Sequence, residues 1–232
     1  MADEFWCIQH HAFPDPDVRG RTRRVTTAIP SSYNGTTTSV VYCTDGQVIK
    51  TLTDELEGSS RDRNGPILIG VHSDPEVRAQ EYLLSSSDQF LAHERFFTEY
   101  VRSWARDEFG ISVERNKSAV FGFSNGGAFA LAVALRHPHK FRAAIGFSVP
   151  SLGTLPPIPP PDAPKPSIYM AVGTQGPEKS IRKNVLRLSR WLRRNDIPVI
   201  VSERLSGHTL NFWATEFVVA IDWLDGIATL VK

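Results

Sequence analysis

The stretch Ser118-Ala-Val-Phe-Gly-Phe-Ser-Asn-Gly-Gly127 decides the fold of this 232-residue chain. Its first six residues are mostly apolar, as in a strand that is buried on both faces of a parallel sheet. The run from Ala128 to Leu135 is rich in alanine and leucine, which is typical of a buried helix. Between them, Gly122 and Gly126 leave room for a sharp turn. The sequence therefore predicts a strand, a tight turn that exposes the Ser124 hydroxyl, and a helix.

A G-x-S-x-G turn between a strand and a helix is the nucleophile elbow of α/β-hydrolases. This pattern predicts Ser124 as a nucleophile, with Gly127 allowing the helix to lie close to the sheet. The alternative is an ordinary glycine-rich turn that carries a solvated serine. The apolar strand and the alanine-rich helix on either side favour the elbow.

The bulk composition predicts one catalytic domain that acts on a small molecule. A chain of this length builds one α/β core, and its 26 basic and 25 acidic residues nearly balance. That balance predicts neither a nucleic acid nor an anionic membrane as partner, while a homodimer is compatible with it.

No segment approaches the roughly 20 apolar residues of a membrane span, and the N-terminus lacks a signal-peptide pattern. We therefore expect a cytoplasmic protein.

The two cysteines support a reducing compartment. Cys7 and Cys43 are far apart in the sequence, and Cys43 stands in a strand-like run, Ser-Val-Val-Tyr-Cys. A buried thiol is therefore expected at Cys43 in place of a disulfide.

Apolar runs that alternate with helical patterns predict a mostly parallel sheet with helices on both faces. Arg23 to Ile29 is expected to add a strand at the edge of the sheet, and residues 1–20 form an N-terminal extension. The predicted helices cover residues 93–108, 180–194 and the end of the chain around 213–224. The remaining predicted strands cover residues 37–43, 66–71, 118–123, 143–149, 167–172 and 198–202.

Two segments have an unusual composition, and each has two interpretations. Residues 151–166 include Leu155-Pro-Pro-Ile-Pro-Pro-Pro-Asp-Ala-Pro-Lys-Pro166, which must be a stiff extended loop. This loop is either a pocket wall or lid, or a plain surface connector. The helix at 180–194 carries six basic residues off its apolar stripe. A solvated outer face is the preferred interpretation of that helix, and an anion-binding patch is the alternative.

A serine nucleophile needs a histidine base, and in α/β-hydrolases the chain order is Ser, acid, His. Four histidines precede Ser124, and His137 and His139 end the helix that starts at the elbow, far from the serine. His208, in Ser-Gly-His-Thr-Leu-Asn-Phe-Trp, is therefore the predicted base. The His137-Pro-His139 pair lacks acidic or cysteine companions in the sequence, so neither a metal nor a cofactor is expected.

The acid should follow the strand at 167–172, where Glu178 is the only carboxylate in the loop. Glu203 is a second choice, and Asp196 is assigned to the opposite end of the sheet with a structural role. An oxyanion hole needs two backbone N–H groups, one of them from the residue after the nucleophile, which is Asn125.

The second N–H group should come from the loop after an earlier strand, Thr44-Asp45-Gly46-Gln47. Gln47 is the first choice as donor and Gly46 the next. His72 follows another strand, and we expect it to line the substrate pocket.

Together these features resemble the esterase family that includes enterochelin (siderophore) esterases, esterase D and the mycolyltransferases of the antigen 85 type. The resemblance spans about residues 25–225. It implies that Ser124 and His208 are catalytic and that Asn125 and Gln47 are oxyanion donors. We also expect Gly46, His72 and Arg78 on the substrate-binding side of the site. The matching features are Asp45-Gly46, Arg78-x-x-Glu81-Tyr82, Gly122-Phe-Ser-Asn-Gly-Gly127, and Gly207-His208 followed by Trp213.

One departure from the family pattern opens alternatives. Similar proteins carry the acid directly after a Gly-Thr-x segment, where this chain has Gly176. Either Glu178 replaces that acid, or a Ser-His pair works without one. The leading hypothesis is a serine esterase with an acyl-enzyme intermediate, which includes a siderophore esterase as a special case. Acyl transfer to a sugar and a catalytically silent binding protein are the alternatives.

Overall fold

The computed structural model describes residues 5–35, 39–59, 65–85, 87–151 and 154–229. Three sets of residues covered by the predictions lie outside this description. They are residues 1–4 of the N-terminal extension, residues 37 and 38 of the run at 37–43, and residues 152 and 153 of the proline-rich segment.

Eight strands form one sheet with the order β1-β2-β4-β3-β5-β6-β7-β8. The six strands from β4 to β8 in this order run parallel to one another, while β1 and β2 are antiparallel to their neighbours. The bounds are β1 Trp6–Pro14, β2 Thr22–Pro30, β3 Val40–Cys43, β4 Ile67–Val71, β5 Ser118–Phe123, β6 Ala143–Phe147, β7 Ser167–Gly173 and β8 Val199–Arg204.

The expectation that Arg23 to Ile29 forms an edge strand is wrong in its position. This segment lies in β2, and β1 covers its outer side along the whole length, from Trp6 opposite Pro30 to Pro14 opposite Thr22. The pattern of β1, Trp-Cys-Ile-Gln-His-His-Ala-Phe-Pro, mixes polar and apolar residues because most of its side chains are only partly buried or exposed. Such a strand carries a weak hydrophobic signal.

The helices lie between the strands. The predicted helix at 93–108 is continuous with an earlier helix and includes a π-helical turn at Phe96–Tyr100. The other two predicted helices are longer than expected. The bounds are α1 Ile49–Gly58, α2 Arg78–Tyr82, α3 Ser87–Arg95, α4 Val101–Phe109, α5 Asn125–Arg136, α6 Glu178–Arg194 and α7 Leu210–Thr229.

Two hydrophobic clusters lie on opposite faces of the sheet. One joins the sheet to α3, α4, α5 and α6, and the other joins it to α1 and α7. Strand β5 contributes to both, because Val120 belongs to the first cluster while Ala119 and Phe121 belong to the second. Every residue of β5 is buried. Strand β5, which directly precedes Ser124, is thus packed against helices on both faces of the sheet.

Candidate active site

Ser124 lies on a strained turn between β5 and α5. Its φ of 53° and ψ of −128° are rare for a residue with a side chain. Backbone strain of this kind persists only where the surrounding structure enforces it. A Cβ on Gly122 would lie 2.2 Å from the Gly126 carbonyl oxygen, and one on Gly126 would lie 2.3 Å from Thr44 Oγ1. Both glycines are therefore required, and Ser124 is left half-buried at the end of the strand.

His208 is hydrogen-bonded to Glu178. The His208 Nδ1–H donates to Glu178 Oε1 at 2.5 Å, and the Gly173 backbone N–H donates to Glu178 Oε2 at 2.8 Å. The Glu178 carboxylate is fully buried, while about 29% of the His208 side chain is exposed. Because Nδ1 faces the carboxylate, Nε2 is the ring nitrogen that remains available to another partner.

Trp213 connects His208 to the serine turn. Its ring stands at 90° to the His208 ring, with centroids 4.7 Å apart, and stacks on the Phe123 ring at 4.3 Å. The Trp213 Nε1–H donates to Ser148 Oγ at 2.8 Å. The sequence pattern assigned Trp213 to the core, and it is buried as expected. Its contact with His208 is a supporting role that the helical periodicity did not indicate.

The loop from Thr44 to Gln47 is held by hydrogen bonds around Asp45. Asp45 has a φ of 53°, and its N–H donates to the Tyr82 hydroxyl at 3.0 Å. Ser73 Oγ donates to Asp45 Oδ1 at 2.7 Å. Arg78 donates to both carboxylate oxygens, from Nε and Nη2, each at 2.7 Å. A bidentate pair of this kind fixes orientation as well as position.

Gly46 and Gln47 follow Asp45 in a 3-10 turn, Gly46–Val48, that leads into α1. A Cβ on Gly46 would lie 2.2 Å from the Gly70 carbonyl oxygen, so only glycine fits against β4. The exposed Gln47 side chain donates from Nε2 to Ser73 Oγ at 2.9 Å. The backbone of this loop therefore has a fixed place beside the carboxyl end of the sheet.

A cleft of about 610 Å³ opens beside this loop. Gly46, Gln47 and His72 line it, together with the aromatic side chains of Phe5 and Trp6. These aromatic residues lie in and just before β1, the strand that the sequence pattern did not indicate. Neither Ser124 nor His208 is among the residues that line this cleft.

A chain of hydrogen bonds crosses the cleft wall at His72. The His72 Nε2 bonds the Thr26 hydroxyl at 2.7 Å, and the same hydroxyl bonds His10 Nδ1 at 2.9 Å. Burial lowers the pKa of His72, and the nearby His10 and Arg24 lower it further. His72 is therefore an uncharged imidazole at neutral pH.

The structure brings the predicted residues into two groups. Ser124, Asn125, His208 and Glu178 follow strands β5, β7 and β8 at their carboxyl ends, and Gly46, Gln47, His72 and Arg78 surround the Asp45 loop. The roles of Asp45, Ser73 and Ser148 were not predicted. Only the Asp45-Gly46 pair gave a sequence signal for this loop.

The other two carboxylates considered from the sequence have different partners. Glu203 lies in β8 and pairs with Arg182 on α6. Asp196 is 87% exposed and lies 3.6 Å from Lys165 Nζ. Among the described residues, His208 Nδ1 bonds Glu178 and contacts neither of these two carboxylates.

The part of the chain that the structure describes contains no cluster of three or more His, Cys, Asp or Glu side chains suited to a metal ion. His137 has one carboxylate neighbour, since its Nε2 lies 3.1 Å from Glu94 Oε1. Over the same described ranges, no helix combines the length and the apolar character that a membrane crossing requires. Cys7 and Cys43 are both free thiols, and Cys43 is buried.

A mostly parallel eight-stranded sheet with a serine on a strained strand-to-helix turn defines the α/β-hydrolase class. Residues 18–221 match the family model described as "Putative esterase", and the chain belongs to that family. It is accordingly a carboxylic ester hydrolase by class. No sequence among the curated proteins matches the chain.

Solved structures show the same architecture. An S-formylglutathione hydrolase from Staphylococcus aureus has a TM-score of 0.71 at 17% identity, covering 94% of this chain and 96% of its own. The enterobactin and salmochelin hydrolase IroE has a TM-score of 0.72 at 20% identity, covering 95% of each chain. An enterochelin esterase from Shigella flexneri has a TM-score of 0.72 at 16% identity, and the match covers 94% of this chain and 57% of that one. The predicted fold class and the predicted family are both confirmed.

Proposed function

We propose that this esterase works through a Ser124–His208–Glu178 triad with an acyl-enzyme intermediate. The hydrogen bond from His208 Nδ1 to Glu178 at 2.5 Å is the observation that carries the proposal. It orients the imidazole so that Nε2 is free to accept the proton of the serine hydroxyl. The strained Ser124 backbone supports the same role, because nucleophile elbows hold their serine in such a conformation.

The proposed reaction has two half-reactions that conserve protons. His208 Nε2 takes the Ser124 proton as Oγ bonds to the ester carbonyl carbon. The C–O bond to the alcohol then breaks, and the alcohol leaves with that proton. Water attacks the acyl-enzyme, gives its proton to His208, and releases the carboxylic acid as Ser124 Oγ regains a proton.

The backbone N–H groups of Asn125 and Gln47 are the proposed oxyanion donors. Asn125 is the first residue of α5, and the first N–H groups of a helix have no acceptor within it. Arg78 would act by positioning this site, because its bidentate bond holds Asp45 two residues before Gln47. The cleft lined by Gly46 and His72 is the proposed location of one substrate group.

Glu178 also weighs against a catalytically silent protein. That alternative was motivated by Gly176, which stands where similar proteins carry the acid. Glu178 begins α6 and reaches back over Gly173, where a Cβ would lie 2.9 Å from Glu178 Cγ. Glycine at 173 therefore leaves room for an acid supplied from two residues further along the chain.

Fluorophosphonate labelling tests the nucleophile. The wild-type chain should be labelled on Ser124, and Ser124→Ala should remove the label completely. A label that persists in Ser124→Ala, or its absence from the wild type at millimolar probe, would contradict the proposal.

Turnover of p-nitrophenyl acetate and butyrate separates an esterase from a binding protein. His208→Ala should lower kcat by about 10³-fold or more, since removal of a triad member leaves little beyond the oxyanion site. The matched control is His139→Ala, which changes an exposed histidine just beyond the C-terminal end of α5 and should leave kcat within about twofold of wild type. If the wild type, His208→Ala and His139→Ala all hydrolyse the esters only at the background rate, the catalytically silent binding protein would be favoured.

A siderophore trilactone is a candidate substrate, because the match to the enterobactin and salmochelin hydrolase IroE spans 95% of both chains. Chromatography of ferric enterobactin after incubation should then show linear products that Ser124→Ala does not form. Parallel assays with S-formylglutathione and with a sugar acceptor would identify a thioesterase or an acyltransferase. Two expectations from the sequence accompany the proposal. One is a reducing, cytoplasmic location. The other is compatibility with a homodimer, and sedimentation analysis would test it.

A further inference from the structure

The arginine-rich side of α6 forms a groove with Pro150, Ser151 and Leu155, and the proposed esterase mechanism does not use it. The groove has a volume of about 440 Å³. We call it the arginine groove, and its lining residues are Pro150, Ser151, Leu155, Asn184, Arg187, Leu188, Arg190, Trp191 and Arg194.

Every charged side chain among the described residues that line this groove is cationic. Arg187, Arg190 and Arg194 are exposed and follow one another at three- and four-residue intervals along α6. Such spacing places side chains next to each other on one helix face. Among the described residues, no carboxylate forms an ion pair with any of the three, and Arg187 donates only to the side chain of Asn184, at 3.3 Å.

Other cations of the same helix are directed elsewhere. Arg182 pairs with Glu203, and Arg193 donates to the Val199 carbonyl oxygen at 3.3 Å. Within the described ranges, Arg182 therefore has a counter-charge, whereas the three groove arginines have none. Like charges three and four residues apart destabilise a helix, so a bound anion would relieve the repulsion.

Apolar side chains form the rest of the groove. Leu188 is 7% exposed and belongs to the core, and the half-buried Trp191 packs against the same cluster. Leu155 is 49% exposed on the opposite wall, beside the prolines that keep that wall extended. The groove therefore combines a firmly held aromatic surface with three guanidinium groups.

We propose that the arginine groove binds a small organic anion in which an apolar ring carries a phosphate or carboxylate group. Guanidinium groups bind such anions with paired hydrogen bonds, and Trp191 and Leu188 offer a surface for the ring. The volume lies within the range of about 300–1,000 Å³ that is usual for small-ligand sites. The proposal is independent of the esterase mechanism, because none of the lining residues belongs to the proposed triad or oxyanion site.

Calorimetric titration of the Ser124→Ala protein with 1-naphthyl phosphate tests the site without interference from the serine. Binding should be at least about tenfold tighter than for inorganic phosphate or 1-naphthol, and should weaken as salt rises. The triple variant Arg187→Gln/Arg190→Gln/Arg194→Gln should lose at least about tenfold in affinity. Its Tm should equal or exceed that of the parent, because the substitutions remove repulsion.

Lys183→Gln is the matched control, since Lys183 is an exposed cation of α6 outside the groove lining. It should keep the affinity within about twofold. The proposal is overturned if 1-naphthyl phosphate does not bind at millimolar concentration, or if the triple variant binds as tightly as its parent. It is equally overturned if Lys183→Gln loses as much affinity as the triple variant, or if inorganic phosphate binds as tightly as the naphthyl ester.

Discussion

At the scale of single residues, the position of Glu178 follows from the turn before α6. Gly176 has a φ of 54°, a left-handed conformation that favours glycine over an acidic residue. Pro177 then precedes the first helical residue, Glu178. Glutamate has one methylene more than aspartate, and this length lets its carboxylate reach back to Gly173 and His208. The helix N-terminus also favours a negative charge there.

Glu178→Gln should lower kcat for p-nitrophenyl acetate by about 10²–10⁴-fold while KM changes little, because the orientation and the cationic form of His208 lose their support. Glu203→Gln is the control, since this carboxylate lies in the edge strand β8 and pairs with Arg182. It should keep kcat within about twofold. Equal losses in the two variants would argue against a triad role for Glu178.

At the scale of elements, the loop after β3 depends on contacts from α2. Arg78 and Tyr82 come from this five-residue helix, and both bond Asp45. The Arg78 guanidinium also lies 5.0 Å from the Tyr82 ring centroid. A short helix therefore holds the proposed oxyanion loop in place, although the two are more than 30 residues apart in the sequence.

Arg78→Gln should destabilise the protein by about 2–3 kcal/mol, because it leaves the buried Asp45 carboxylate without its cation. We expect kcat to fall as well, since the backbone of Gln47 loses its support. Urea unfolding and p-nitrophenyl acetate kinetics measure the two effects. Arg24→Gln removes an exposed cation near His72 and should change stability by less than about 0.5 kcal/mol. If Arg78→Gln were as stable as Arg24→Gln, the predicted role of Arg78 in holding Asp45 would be wrong.

The elbow glycines make another prediction at this scale. Gly126→Ala places a Cβ 2.3 Å from Thr44 Oγ1 and 2.9 Å from Asp45 Oδ2, inside a fully packed region. We expect a loss of about 1–3 kcal/mol from overpacking, measured by the urea midpoint. Gly226→Ala in α7 has no atom within 4 Å of the new Cβ, and should gain about 0.5–1 kcal/mol. A Gly126→Ala protein as stable as the wild type would show that the elbow can expand.

At the scale of the whole molecule, a buried ion network joins the β1–β2 hairpin to the helical layer. Arg23 Nε donates to Asp15 at 2.7 Å, and Arg21 Nη2 donates to Glu81 at 2.6 Å. Arg23 Nη1 also bonds His93 Nδ1, at 2.8 Å. Burial alone would raise the pKa of Glu81, but His93, Arg23 and Arg21 outweigh burial and lower it to about 2.

This network predicts a loss of stability in acid. Because the pKa of Glu81 is depressed in the folded state, its contribution is complete above the unfolded value near 4.5 and is lost as pH falls towards 2. The loss should be on the order of 3 kcal/mol. Urea unfolding between pH 7 and pH 2.5 should therefore show a shallower decline for Glu81→Gln than for wild type.

Burial lowers the pKa of His93 as well, so His93 adds a loss of stability as pH falls below about 6.5. The exposed Glu76→Gln is the control for the Glu81 experiment and should follow the wild-type curve. Parallel curves for Glu81→Gln and wild type would show that Glu81 is not part of the acid response.

The sequence by itself determined the strand, turn and helix around Ser124, the parallel sheet and the family, and it predicted Ser124 and His208 as the reacting pair. Hydrophobic periodicity and the glycine spacing of the elbow are patterns of neighbouring residues, so they can be read along the chain. Tertiary structure alone decided the place of β1 outside β2, the bond of Arg78 to Asp45, and the packing of Trp213 against His208. It also brought the arginines of α6 beside Ser151 and Leu155. These contacts join residues far apart in sequence, and their energies depend on geometry, burial and charge that exist only once the sheet and its helices have assembled.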